Sequence, residues 1–173
     1  MTMADDGILL TLVDSTATEG LGAALASTFP GAHRGSAACY LEGDLGAGKT
    51  TCVRSLLRTL GVTGLIRSPT YTLVETYRLA ALTCVHIDLY RLEGAMAVEE
   101  LGLRDFMSPG HLLLIEWPER GGGALPRPDL VLRLEFASAG REARLVASTD
   151  LGASWLTNLL SDTRLSRYVS NLT

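Results

Sequence analysis

The chain is short of cysteine, of long apolar runs and of positive charge, and each shortage excludes something. Cys39, Cys52 and Cys84 are odd in number and do not fall at metal-ligand spacing. They read as core or near-core thiols in a reducing cytoplasm, with Cys52, near a functional loop, the candidate for oxidation. No apolar run reaches the roughly 18 residues that span a bilayer. The acidic Met1–Gly7 segment carries no basic-then-apolar leader pattern, so a cytoplasmic protein with no membrane role is expected. Lys+Arg number 15 against 19 Asp+Glu, a net charge of −4. No direct strong nucleic-acid binding is expected from that balance; any RNA link would run through a partner. There is no internal repeat and no low-complexity tract.

What is present is a chain of 173 residues, 47% hydrophobic and 20% charged, which fits one domain over 1–173 with a sizeable core. The apolar pattern predicts a strand over 8–13, a helix from Thr16 or Thr18 to Ser27, and a buried strand over 36–41. A helix over 50–60 follows, with Val53, Leu56, Leu57 and Leu60 on one stripe and Gly61 at its stop. Strands are expected at 70–77, 82–87 and 112–115, and a helix over 95–107 with a break near Gly102. Gly121-Gly122-Gly123 reads as a flexible link, and His33 and His111 as loop residues. Leu130–Phe136 and Arg144–Ala147 read as a hairpin turned near Gly140, before a last helix over 151–160 that includes Trp155 as packing. Ser161–Thr173 is expected to fray. Strands mixed with helices and glycine-rich loops indicate a three-layer α/β fold, with a mostly parallel central sheet and a C-terminal antiparallel hairpin.

Between the second strand and its helix lies Gly43-Asp44-Leu45-Gly46-Ala47-Gly48-Lys49-Thr50-Thr51. This is G-x-x-x-x-G-K-[ST] in full, the phosphate-binding P-loop in its required strand–loop–helix setting. Glycines let backbone N–H groups turn inward, and the helix N-terminus adds its own, so the loop cradles a triphosphate. Lys49 brings a point charge to the β/γ-phosphates and the Thr50 hydroxyl is placed for Mg²⁺. No Asn-Lys-x-Asp guanine-reading motif is present, which favours ATP as the nucleotide.

A P-loop enzyme also needs an acid at the end of a neighbouring strand. Two sites fit: Asp88 after Cys84-Val85-His86-Ile87, and Glu116 after Leu112-Leu113-Leu114-Ile115. The second is the cleaner buried strand, which favours Glu116 as the Mg²⁺ ligand and leaves Asp88 to orient water or serve the metal's outer sphere. The division of roles stays open, and a solvated strand-end carboxylate is the alternative for either. Arg67-Ser68-Pro69-Thr70-Tyr71 sits where switch loops lie, with Thr70 in reach of Mg²⁺ or the γ-phosphate; a plain strand-start turn is the alternative. Trp117 is read as packing over the site, as part of a partner face, or as core. His86, two before Asp88 and on the same strand face, reads as a buried, satisfied histidine rather than a catalytic one.

Five further blocks, in order, extend the pattern. They are Ser68-Pro69-Thr70-Tyr71-Thr72-Leu73-Val74-Glu75, His86-Ile87-Asp88-Leu89-Tyr90-Arg91-Leu92, Glu100-Leu101-Gly102-Leu103-Arg104-Asp105, Leu114-Ile115-Glu116-Trp117-Pro118-Glu119 and Gly140-Arg141-Glu142-Ala143-Arg144. With the P-loop, they make the chain resemble the TsaE (YjeE) family over about residues 8–150. The resemblance implies a P-loop NTPase fold and an ATPase of bacterial tRNA threonylcarbamoyladenosine biosynthesis, with ATP and Mg²⁺ as cofactors. Thr50 and Glu116 match its magnesium positions, and Asp88 and Trp117 match positions important for function. Thr18 matches an N-terminal threonine that contacts the nucleotide, and Arg141 a C-terminal nucleotide contact. The resemblance further implies binding to the TsaB–TsaD heterodimer, with tRNA met only through that complex and ATP hydrolysis resetting it between turnovers. The residues 121–123 and the tail after Leu160 depart from the family pattern. A small-molecule kinase and a nucleotide-gated binding module are the rival readings; a kinase would need an acceptor pocket and an arginine-rich lid that the sequence does not display.

Overall fold

The computed structural model describes residues 7–32, 35–92, 95–165 and 168. Seven strands form one sheet in the order β1-β7-β6-β2-β5-β4-β3. They are β1 Ile8–Leu12, β2 Ala37–Glu42, β3 Val74–Arg78, β4 Thr83–Asp88, β5 His111–Glu116, β6 Leu130–Phe136 and β7 Arg141–Ala147. The middle four, β6-β2-β5-β4, run parallel, while β3, β7 and β1 join antiparallel. Parallel strands end together, so Glu42, Asp88 and Glu116 reach the same edge of the sheet, where open α/β folds bind ligands.

Alternation along the strands separates two cores. Cys39, Leu41, Leu112, Leu114 and Leu132 face the larger one, covered by α1 Ser15–Thr28, α2 Lys49–Thr59 and α4 Asp150–Leu160. Ala38, Val85, Ile87, Leu113 and Ile115 face the smaller one, under α3 Ala95–Glu99 and short 3-10 turns. Helix starts follow the side-chain chemistry. Asp14 caps α1 by accepting from Ala17 N at 2.8 Å, and Thr149 caps α4 by accepting from Gly152 N. Trp155 is packing, as its position in α4 implied: it is fully buried, donates Nε1–H to Leu25 O at 2.9 Å and meets Phe29.

Several expectations need correction. Residues 70–73 are a turn and not strand, because Leu73 N bonds Pro69 O at 2.6 Å and Leu73 takes φ +66°. The helix over 95–107 stops at Glu99; Gly102, at φ +65°, breaks it, and Leu103–Phe106 is 3-10. Residues 121–123 are not a loose link: Gly122 and Gly123 lie in a short 3-10 turn, and Gly121 joins it to the turn Pro118–Arg120. His111 opens β5 rather than lying in a loop. In the tail, Leu165 is buried and Thr11 N bonds Tyr168 O, so this part is held; residues 166, 167 and 169–173, like His33 and 1–6, lie outside the described residues. No helix among the described residues is long and apolar enough to cross a membrane.

Candidate functional site

The loop after β2 is shaped by close approach. A Cβ on Gly43 would lie 2.0 Å from Leu134 O, and its φ is +127°, so only glycine lets the loop leave β2 past β6. Gly48, at φ +111°, is the N-cap of α2 and offers no side-chain cap bond. The first N–H groups of α2 are therefore open to a ligand, at the positive end of the helix dipole.

A cavity of about 270 Å³ opens over this helix start. Of the loop, Leu45, Gly46, Gly48, Lys49, Thr50 and Thr51 line it. Ala47 is buried beneath, and Gly43 and Asp44 line an adjoining cavity of about 560 Å³. Lys49 is only 4% exposed; its Nζ donates to Gly43 O at 2.5 Å and Asp44 O at 2.8 Å, and lies 3.9 Å from the Trp117 ring centroid. Burial pulls its pKa down from 10.5, against the opposing pull of Glu116, Glu119, Asp88 and Asp44. Trp117 thus packs over the site. It takes φ +60°, which few bulky residues adopt, and meets Tyr90 at 5.0 Å.

Asp88 and Glu116 are register partners at the ends of adjacent parallel strands, both buried and both facing the cavity. Their partners differ. Thr50 Oγ1–H is shared between Glu116 Oε1 at 3.0 Å and Oε2 at 2.9 Å. Asp88 instead accepts from Thr70 Oγ1 at 2.8 Å and from Tyr90 N at 2.9 Å, and Ser68 Oγ–H donates on to Thr70 at 2.7 Å. The Ser68–Leu73 turn hangs from β4 by Asp88 N donating to Leu73 O at 3.0 Å. The hydroxyls of this stretch serve the carboxylate, while Leu73 N closes the turn on Pro69 O.

Arg141 reaches the loop from the start of β7, donating from Nη2 to Gly46 O at 3.3 Å, while its buried Nε has no partner among the described residues. Thr18 is buried against Gly48, its hydroxyl spent on Asp14 O at 3.3 Å, and does not line the cavity. Sequence reasoning gave no site role to Ser68 or Tyr90, and read His86 as a buried, satisfied histidine rather than a catalytic one. Ser68 extends the hydroxyl chain, Tyr90 braces Trp117, and His86 bonds Glu116 through Nε2 at 2.7 Å. The signal for His86 was its i, i+2 relation to Asp88. The three thiols are all buried, Cys52 included, and burial pushes Cys39 and Cys84 up to about 12 and Cys52 higher still. Oxidation of Cys52 is therefore not favoured in the folded chain.

The chain is similar to known proteins. The family model "Threonylcarbamoyl adenosine biosynthesis protein TsaE" matches residues 12–146. A tRNA threonylcarbamoyladenosine biosynthesis protein TsaE from Haemophilus influenzae is 45% identical over 65% of this chain and 72% of its own length. The protein of that name from Bacillus subtilis is 36% identical over 65% of this chain and 68% of its own length. The crystal structure of Bacillus subtilis YdiB superposes with a TM-score of 0.73 at 27% identity, covering 90% of this chain and 95% of that one. The seven-stranded sheet with its parallel centre and the loop after β2 are a P-loop NTPase fold. A match that runs from the end of β1 into β7, and takes in both strand-end acids and the turn that serves Asp88, makes this chain a member of the TsaE family.

Proposed function

We propose that this chain is a Mg²⁺-dependent ATPase of tRNA threonylcarbamoyladenosine biosynthesis that drives repeated turnover of the TsaB–TsaD heterodimer in the cytoplasm. The observation that carries the reading is the meeting of Thr50 and Glu116. A hydroxyl at the first turn of the P-loop helix is bonded to both oxygens of a carboxylate from the neighbouring strand. The relatives named for this pathway support the biological half of the proposal.

The donor set fits magnesium: one hydroxyl and one carboxylate, both hard oxygen donors, beside a helix start open to phosphate. Thr50 and Glu116 would hold Mg²⁺, which when bound neutralises charge on the phosphate oxygens. Lys49 exchanges the Gly43 and Asp44 carbonyls for the β/γ-phosphates. The loop N–H groups and the start of α2 fix the rest of the triphosphate. Asp88, steadied by Thr70 and Tyr90 N, orients the attacking water and accepts its proton. The chain contains no glutamine, so no amide of that kind competes for the water-orienting role. Arg141 reaches the loop from the β7 side and would meet the nucleotide there, while Thr18 backs Gly48 from the α1 side and acts through the shape of the loop. Because no arginine among the described residues lines the cavity, lone turnover should be slow, with the missing activation supplied by the partner pair.

The test is phosphate release from ATP by the full chain with Mg²⁺, alone and with TsaB–TsaD. The expected result is weak basal turnover that rises with the pair and vanishes in Lys49→Ala. Turnover indifferent to the pair overturns partner activation. Labelled γ-phosphate found on an acceptor molecule, rather than released to water, overturns the hydrolase reading in favour of a kinase.

A further inference from the structure

We propose that His86 is a positioning residue that holds the Glu116 carboxylate ready for Mg²⁺; the proposal rests on the Mg²⁺–ATP reading above. His86 lies within β4, opposite Leu114 of β5 and Glu75 of β3, and is fully buried. Its neighbours Val85 and Ile87 are buried aliphatics, and an aliphatic side chain would suit the same strand. Burying an imidazole is costly unless it is hydrogen-bonded. Only one of its two nitrogens has a partner among the described residues: Nε2–H donates to Glu116 Oε1 at 2.7 Å, while Nδ1 is buried without one. The one polar contact of this ring is therefore the acid proposed to ligate the metal.

The geometry says what that contact does. A glutamate side chain has several rotatable bonds, and Thr50 alone, with one hydrogen shared between two oxygens, leaves its carboxylate free to turn. His86 adds a second donor from a different element, β4 where Thr50 belongs to α2, and so fixes the carboxylate from two directions. Carboxylate ligands are commonly held in this way, and loss of such an outer partner costs roughly 10- to 100-fold in metal affinity.

The experiment is calorimetric titration of ADP into the full chain, in EDTA and across a series of Mg²⁺ concentrations. It compares wild type with His86→Leu, which removes the donor, and His86→Gln, whose amide N–H can reach the same oxygen. In His86→Leu, the Mg²⁺ needed for half of the metal-dependent gain in ADP affinity should rise roughly 10- to 100-fold. Its ADP affinity in EDTA should stay at the wild-type value, and His86→Gln should restore most of the metal response. Should His86→Leu fail to fold, His86→Asn, too short to reach Glu116, takes its place. A folded donor-less variant with the wild-type Mg²⁺ requirement overturns the proposal. So does a His86→Gln variant as impaired as His86→Leu. A wild-type chain that takes no ADP, or takes it without regard to Mg²⁺, overturns the Mg²⁺–ATP reading and this proposal with it.

Discussion

The two walls of the cavity carry the same chemical group in register and use it differently. On one wall Glu116 is locked into regular structure: the strand beneath it, the first turn of α2 through Thr50, and β4 through His86. On the other, Asp88 is tied to a turn, through Thr70, Ser68 and the Leu73 carbonyl. A carboxylate fixed by a helix and two strands suits an ion that demands near-ideal geometry. A carboxylate fixed by a turn can follow what the turn does when phosphate arrives. The two carboxylates share a position along their strands and differ in the elements that supply their hydrogen bonds.

Removing the lysine of the loop should have the largest effect. Lys49→Ala deletes charge-assisted contacts worth about 1.5–3 kcal/mol, so ADP affinity measured by calorimetry should fall about 10- to 100-fold and hydrolysis should disappear. The walls should then separate. Asp88→Asn should cut turnover by roughly 10²- to 10⁴-fold while sparing nucleotide affinity and Mg²⁺ requirement. Glu116→Ala should also spare metal-free nucleotide binding better than turnover, but its defect should shrink as Mg²⁺ is raised. If excess Mg²⁺ rescues Asp88→Asn and not Glu116→Ala, the assignment of the walls is reversed.

The structure beneath the walls can be probed by pH. Burial pushes the thiols of Cys39, within β2, and Cys84, near the start of β4, from 9.0 up to about 12. A group whose folded pKa is raised contributes stability that is fully present below its unfolded pKa and lost as pH rises towards the folded one. Each thiol should therefore cost about 1.4 kcal/mol per pH unit between about pH 9 and pH 12. Urea midpoints from pH 8 upward check this, with Cys84→Ala expected to flatten the slope. Thr70→Val should have the smallest effect. It leaves Asp88 its bond from Tyr90 N and should lower turnover about tenfold or less, the loss of one hydrogen bond of about 1 kcal/mol.

Much of this was legible in the residues. The P-loop, its strand and its helix follow from glycine spacing and a 3.6-residue stripe, which are local signals. Glu116 and Asp88 follow from apolar runs ending in an acid, and the hairpin follows from alternation. What resisted reading was set by tertiary partners. Thr70–Leu73 has the composition of a strand, but it is a turn closed by Leu73 N on Pro69 O and tied through Thr70 to the carboxylate of Asp88, eighteen residues on. His86 reads as a core residue because its partner lies thirty positions away on another strand. For Trp117 the sequence left packing over the site as one of three readings, since the positive φ that aims its ring at Lys49 is invisible in a residue other than glycine.

Lys49 is also the only lysine in the chain. An amine-acylating reagent therefore has a single side chain to find, and that side chain lies under Trp117 with its ammonium engaged by two carbonyls. The rate at which the reagent finds it is a clock for how often the loop opens. A lysine-specific endoprotease, with one bond to cut, then scores each molecule as opened or closed by whether it runs on a gel as one piece or two.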